Sequence, residues 1–305
     1  MDTTNTAARA QARGWRATYL PYTSVVWWAL HLGAVYGAIA LGFSWAGVAW
    51  AAAMYGVRMF IVTGFNHRYF SHRTYKTSRW FQFVMAVLAQ TTAQKGVLWW
   101  AGHHRRHHKH SDTELDVHSP LHGGFWWSHL GWIVGRDFET TDAVVVKDFA
   151  RYPELRAIER FWLLTPVVVG VAAFLIGGWF GLVWAFAVPQ VLSWHGTFTI
   201  NSLSHVWGSR RYESGDASRN NPVLALITLG EGWHNNHHHY QASARQGFYW
   251  WEIDITYYGL RALALVGLIW DVRGVPDHVR AGTRKAALAR APAPSGAPPA
   301  LTAEA

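Results

Sequence analysis

The stretch from Gly232 to Tyr240 reads Gly-Trp-His-Asn-Asn-His-His-His-Tyr, with four histidines in six residues. On a helix, His234, His237 and His238 stand at i, i+3 and i+4, so their rings leave from one face. Neutral imidazole binds iron, copper, nickel and zinc, so three rings on one face form part of a metal shell. The same spacing recurs in His104, His107 and His108, where the triple His103, His107 and His110 also shares a face. A looser pair, His67 and His72, stands in His-Arg-Tyr-Phe-Ser-His. Five residues apart on a regular helix, these two point about 140° away from each other. They serve one site only if the helix ends between them; otherwise they bind different metals. Asn201 and His205, at i and i+4, share a face. Expression tags also carry histidine runs, but tags sit at termini and these clusters are internal. Three clusters far apart in sequence imply one site assembled from several segments.

Such a site needs elements that bring the clusters together. The chain from Val25 to Leu41 is apolar apart from His31, and from Trp45 to Gly64 apart from Arg58, with Gly42-Phe43-Ser44 between. Each run can cross roughly 30 Å of hydrocarbon as a helix of about 20 residues. The short connector makes the pair a helical hairpin that delivers the chain to His67. A second hairpin runs from Phe161 to Ile200, turns near Gly177-Gly178, and leads to Asn201 and His205. Both turns lack Lys and Arg, so by the positive-inside rule four spans place every cluster on the cytoplasmic side. Arg58 is read as snorkelling or pairing within the bundle, and His31 as an interhelical hydrogen-bonding residue. Trp80 to Ala93 is too short to span and reads as an interfacial or buried helix. Phe248 to Trp270, carrying Glu252, Asp254 and Arg261, reads as a membrane-surface helix rather than a fifth span. The expected architecture is an all-α integral membrane protein, with two hairpins and a cytoplasmic helical cap carrying the histidines. A cytoplasmic segment 1–20 precedes a membrane domain 21–287, with spans near 25–41, 45–64, 161–176 and 182–200. A disordered Pro/Ala tail, 288–305, follows.

Composition narrows the chemistry. Charged residues make up only 15% of the 305 and hydrophobic ones 50%, against about 25% charged in soluble domains. The net charge of +9 flanks the spans, which assigns it to membrane topology and not to nucleic acid. Without cysteine, disulfides, thiolate zinc sites and Cys-ligated iron–sulfur clusters are excluded. The remaining ligands are His, Asp, Glu, Asn and water.

H-R-Y-F-S-H, H-R-R-H-H-K-H-S-D, N-S-L-S-H and G-E-G-W-H-N-N-H-H resemble the histidine boxes of the membrane fatty acyl desaturases of the stearoyl-CoA type, over about Tyr55 to Asp271. The resemblance implies two iron ions held by His67, His72, His104, His107, His108, His205, His234, His237 and His238, with Asn201 linked through water. It leaves out His103, His110 and His239. It implies an O2-dependent enzyme that puts a cis double bond, at delta-9, into a long saturated chain carried as acyl-CoA or acyl lipid. The expected location is a bacterial inner membrane, with site and termini cytoplasmic. The chemistry agrees: removing hydrogen from an unactivated CH2–CH2 pair is beyond side-chain acid–base work and requires a metal and O2. Thr197 and Phe198 match positions that line the acyl tunnel, and Tyr55 is a candidate for its closed end. Asp112 and Glu231 are read as acceptors that orient ring N–H groups; for Asp116 a solvated loop charge fits nearly as well. Animal acyl-CoA enzymes carry Arg-Asp before the second box, where Gly102-His103 stands here. Arg105 and Lys109, with Arg210 and Arg211, are candidates for a carrier phosphate. No H-P-G-G haem motif or Gly-rich dinucleotide fingerprint is present, so electrons come from a separate ferredoxin or cytochrome b5-like protein, met by a basic face. The alternatives are a di-iron fatty acid or alkane hydroxylase and a membrane metal transporter. A transporter would set its ligands near mid-membrane, whereas these boxes lie beyond the helix ends.

Overall fold

The structure, a computed structural model, describes residues 21–135 and 138–282. The expected N-terminal segment 1–20 and tail 288–305 lie outside the described residues. Among the described residues helix is the dominant element, and the sheet is one short antiparallel pair, β1 Lys76–Thr77 with β2 Ile269–Trp270.

Helices α1 (Pro21–Leu41) and α2 (Trp45–Ile61) form the first hairpin. Gly42 makes the turn at φ 73°, a conformation glycine adopts without Cβ strain. Ser44 then caps α2, its Oγ accepting from Gly47 N at 3.2 Å, as an N-cap serine should. Val25, Trp28, Leu32, Val35, Tyr36 and Ile39 of α1 are exposed. An apolar surface of that extent needs a membrane or a partner to cover it.

Among the described residues, three helical stretches are long and apolar enough to cross a membrane: Ser24–Leu41, Trp45–Ser71 and Leu164–His205. The third is interrupted at Gly178, whose φ of 57° and ψ of −148° are not helical. Beyond it the chain folds back. A Cβ on Gly181 would lie 2.2 Å from Ala173 O, and one on Gly170 3.1 Å from the Phe186 ring. Contacts across eight and sixteen residues are impossible on one straight helix, which rises about 1.5 Å per residue. The stretch is therefore a hairpin of α5 (Leu164–Phe180) and α6 (Val188–Ser202), the latter preceded by a π-helical segment Gly181–Ala187. The turn lies where the paired glycines place it.

The hairpins pack through small residues: Gly37 lies against Val183 and Gly47 against the Trp184 ring. Buried polar pairs also tie them. Arg58 Nε donates to Gln190 Oε1 at 3.1 Å, so this arginine pairs inside the bundle. His31 Nε2 lies 3.0 Å from His195 Nε2, and His195 Nδ1 2.9 Å from His129 Nε2. His31 thus bonds between helices and ligates nothing in the clusters.

Helix α3 (Arg79–Gln90) buries Phe81, Met85 and Ala89 and exposes Trp80 and Leu88, so one face is buried and one is left open. Helix α4 (Val97–His110) begins where Glu159 accepts from Leu98 N at 3.0 Å and Trp99 N at 2.8 Å. A carboxylate there satisfies orphan donors and complements the helix dipole. The C-terminal apolar segment corrects the expectation of a helix over Phe248–Trp270. Only α8, Ile255–Leu265, is helical, because Asp254 caps its start, accepting from Tyr257 N at 2.9 Å, and Gly267 breaks the chain beyond it at φ 75°.

Candidate metal centre

The clusters meet at the end of α2, on the last turns of α4, just past α6, and on α7, a six-residue helix His234–His239. So short a helix does not stand by propensity, and its asparagines fix it. Asn235 Oδ1 accepts from Arg211 N and Tyr212 N, each at 2.8 Å. Asn236 Nδ2 donates to Gln246 O at 2.9 Å and Asn236 Oδ1 accepts from Asn220 Nδ2 at 2.7 Å.

His67 and His72 show how winding decides a site. Val62–Ser71 is π-helical, and His72 N bonds to His67 O at 3.2 Å. An i→i+5 turn carries one extra residue and stacks residues five apart, leaving these rings 4.9 Å between centroids. Neither a break between them nor separate metals is needed.

The ring nitrogens fall into two groups, each with ligand atoms within 4.8 Å of one another. His67, His72, His104, His108 and His237 form one; His107, His205, His234 and His238 form the other. In the first, Nε2 atoms run from His72 to His104 (2.9 Å), to His108 (2.9 Å), to His237 (2.9 Å) and to His67 (3.1 Å). In the second, His205 Nε2 lies 3.1 Å from His234 Nε2.

The outer nitrogens settle what the inner ones present. His107 Nδ1 faces Asp116 at 2.9 Å, His205 Nδ1 faces Asp112 at 2.7 Å, His238 Nδ1 faces Asp216 at 2.5 Å, and His67 Nδ1 faces Glu231. A carboxylate only accepts, so each Nδ1 carries the proton and each Nε2 of a neutral ring is a bare lone pair. Buried His238 Nε2 has no hydrogen-bond partner. Four bare Nε2 atoms, that of His238 buried and unsatisfied, stand in clusters whose ligand atoms all lie within 4.8 Å of one another, which fits a cation held between them. Burial pushes the Glu231 carboxyl up, but His67 and Arg68 beside it hold it down to about 2. Burial likewise opposes Asp112, which His205 and Ser119 hold at about 2.

The remaining expected residues separate by place. Thr197, Phe198 and Asn201 line an apolar cavity that reaches His104. Tyr55 does not line it: its hydroxyl donates to Ile227 O at 2.7 Å and ties α2 to the end of the short helix Pro222–Ile227. Arg105 is engaged by Ser71 O, Phe70 O, Val145 O and Asp148, and Arg211 by Glu252 and Asn236, so both lock segments together. Lys109 is exposed. His103 is buried with Nδ1 on Trp99 O at 3.0 Å. Asp116 is buried, not a solvated loop charge. Sequence reasoning missed Asp216, whose Ser-Gly-Asp-Ala-Ser turn carries no signal of a partner 22 residues away. It also missed His118, which lines the cavity with its ring 4.4 Å from that of His107.

Burial first, and then neighbouring rings, hold His104, His108, His234 and His237 well below their ordinary value. In the unfolded chain these rings titrate near 6.5. Below that pH the unfolded state binds more protons than the folded one, so stability falls as pH falls. The expected slope is roughly 1.4 kcal/mol per pH unit for each ring kept neutral. Thermal unfolding of chelator-treated protein between pH 8 and 5 checks this; a flat profile would contradict it.

A family model described as fatty acid desaturase matches residues 43–267. The chain is 37% identical over 246 residues, 80% of its length and 90% of the relative's, to a sn-1 stearoyl-lipid 9-desaturase of Anabaena variabilis. It is 35% identical to a sn-2 palmitoyl-lipid 9-desaturase of a Nostoc species, covering 67% of this chain and 73% of that one. It is also 34% identical to an acyl-CoA C20 Delta5-desaturase of Anemone leveillei, covering 68% and 66%.

Proposed function

The chain belongs to the fatty acid desaturase family, and we propose that within it the protein forms a 9-position cis double bond in a long saturated acyl chain esterified to a membrane lipid. Desaturases are oxidoreductases, and the apolar helices associate such a chain with the membrane. The observation that carries the reading is the juxtaposition of nine imidazoles in two groups with an apolar cavity that shares His104 with them. Five rings would hold one iron and four the other, and Asn201 of the cavity wall would meet the centre through water. When bound, the irons supply the activation of O2 that an unactivated C–H bond demands. The chain's own residues do the rest. Asp116, Asp112, Asp216 and Glu231 fix ring tautomers, and Thr197 and Phe198 shape the path of the acyl chain. Trp99, Trp132 and Trp194, also in the lining, keep water from it. A lipid carrier is favoured because Arg105 is taken up by Asp148 and backbone carbonyls, and because relatives covering two thirds or more of the chain are named lipid 9-desaturases.

Four spans with the histidines on the cytoplasmic side of a bacterial inner membrane, over the domain 21–287, complete the reading. Exposed Arg73, Lys109 and Arg210 then suit an acidic ferredoxin or a cytochrome b5-like donor. The test is expression with a ferredoxin in cells lacking their own desaturase, with the double bond located in the recovered fatty acids. Pulse labelling shows which pool gains it first. A 9-unsaturated acid appearing first in glycerolipid is expected. Appearance first in acyl-CoA overturns the carrier, and a hydroxy acid moves the chain to hydroxylation.

A further inference from the structure

Lys95, in the connection between α3 and α4, is 7% exposed and its Nζ has no hydrogen-bond partner. Its backbone is left-handed, at φ 64°, a conformation a lysine adopts only at a cost. The ammonium lies 5.0 Å from the centroid of the Trp99 ring. The carboxylate that attracts it, Glu159, is already occupied by Leu98 N, Trp99 N and Thr141 Oγ1. A buried ammonium without an acceptor is costly. Two costs at one residue call for a group that enters from outside the protein.

The cavity supplies the route. Lys95 lines it together with Val26, Trp162 and Leu163, which retain exposure beside the starts of α1 and α5, and with His104 and Asn201 at the metal centre. An ammonium only donates, so the missing group is an acceptor. A phosphate is strongly hydrated and would stay at the surface. The last polar atom that follows an acyl chain between apolar walls is its carbonyl oxygen.

We propose that Lys95 Nζ donates to the carbonyl oxygen at the head of the bound acyl chain, and so sets which carbons lie against the histidines. The proposal rests on the desaturase reading of the cavity. An ester in a lipid and a thioester offer the same acceptor, so the contact itself does not choose the carrier. Lys95 is a positioning residue: with the carbonyl fixed, the reacting carbons are set by chain length from it.

The test is binding of methyl stearate, octadecane, stearoyl-CoA and a stearoyl glycerolipid to the purified full chain in nanodiscs, alongside Lys95→Gly and Lys95→Met. Glycine takes positive φ without strain, so Lys95→Gly removes the ammonium without loading the backbone. Both variants are expected to lose roughly tenfold or more in affinity for methyl stearate, as for a hydrogen bond to a charged group, while octadecane binds as before. Whichever of the two carriers binds the wild type tightly and loses the same factor identifies the source of the carbonyl. In product analysis the variants should spread the double bond over neighbouring positions. An unchanged preference for methyl stearate over octadecane, or an unchanged single bond position, overturns the proposal. Failure of the wild type to bind octadecane as well as the esters would instead bring down the acyl-cavity reading itself.

Discussion

His237→Ala leaves the protein short of iron and lowers double-bond formation by at least the ten- to hundredfold that losing even an outer partner of a metal ligand costs. His237 Nε2 sits between His67 Nε2 at 3.1 Å and His108 Nε2 at 2.9 Å, and its ring centroid is 4.6 Å from that of His72. No other ring of the five is placed to fill the gap, since His104 and His108 are held on α4 and His67 and His72 at the π-helical stretch. His239, two residues on, is the control. Its ring stacks on Tyr212 at 4.1 Å and its Nε2 faces Val279 O, outside both groups. His239→Ala is expected to keep full iron and nearly full activity. Iron analysis and fatty-acid methyl esters from both variants decide the matter. Full iron and activity in His237→Ala would remove the five-ring group as a metal site.

That His234, His237 and His238 share a face was legible in the sequence, because i, i+3, i+4 spacing on a regular helix fixes it; the omission of His239 came with the resemblance. The hairpins were legible for the same kind of reason: apolar length and glycine turns are local properties. His67 and His72 were not, since spacing is read on an α-helical period and the chain there is wound as a π-helix. Nor was Asp216, which sits in a turn that reaches His238 on α7 through nonlocal bonds such as those of Asn235 to Tyr212 and of Ala217 N to Asp112. Arg105 misled because a guanidinium among histidines reads as a ligand for phosphate. Its role emerged only when Phe70, Ser71 and Val145 carbonyls from other segments came to it. For Asp216 and Arg105 what sequence reasoning lacked is a nonlocal partner; for His67 and His72 it is the local winding.

Arg68→Met should destabilise the protein by about 3–5 kcal/mol, the cost of breaking one side of a buried ion pair. Arg68 is 1% exposed. Its Nε and Nη2 donate to Glu231 Oε1 at 3.2 and 2.9 Å, and its Nη1 donates to Asp254 Oδ2 at 3.1 Å and Ala244 O at 2.7 Å. Removing the guanidinium strands two buried carboxylates. One of them, Glu231, holds His67 Nδ1 through its other oxygen, so metal affinity should fall with stability. Thermal unfolding in detergent and iron titration measure the two effects. Arg68→Lys restores little, because an ammonium cannot fork to both carboxylates. The diagnostic variant is Arg68→Met combined with Glu231→Gln. Taking away one stranded charge should recover part of the stability while leaving His67 without its anionic acceptor, so iron affinity stays low. If the double variant is no more stable than Arg68→Met alone, Arg68 acts through packing of its stem and not as the counterion that joins the core to the metal centre.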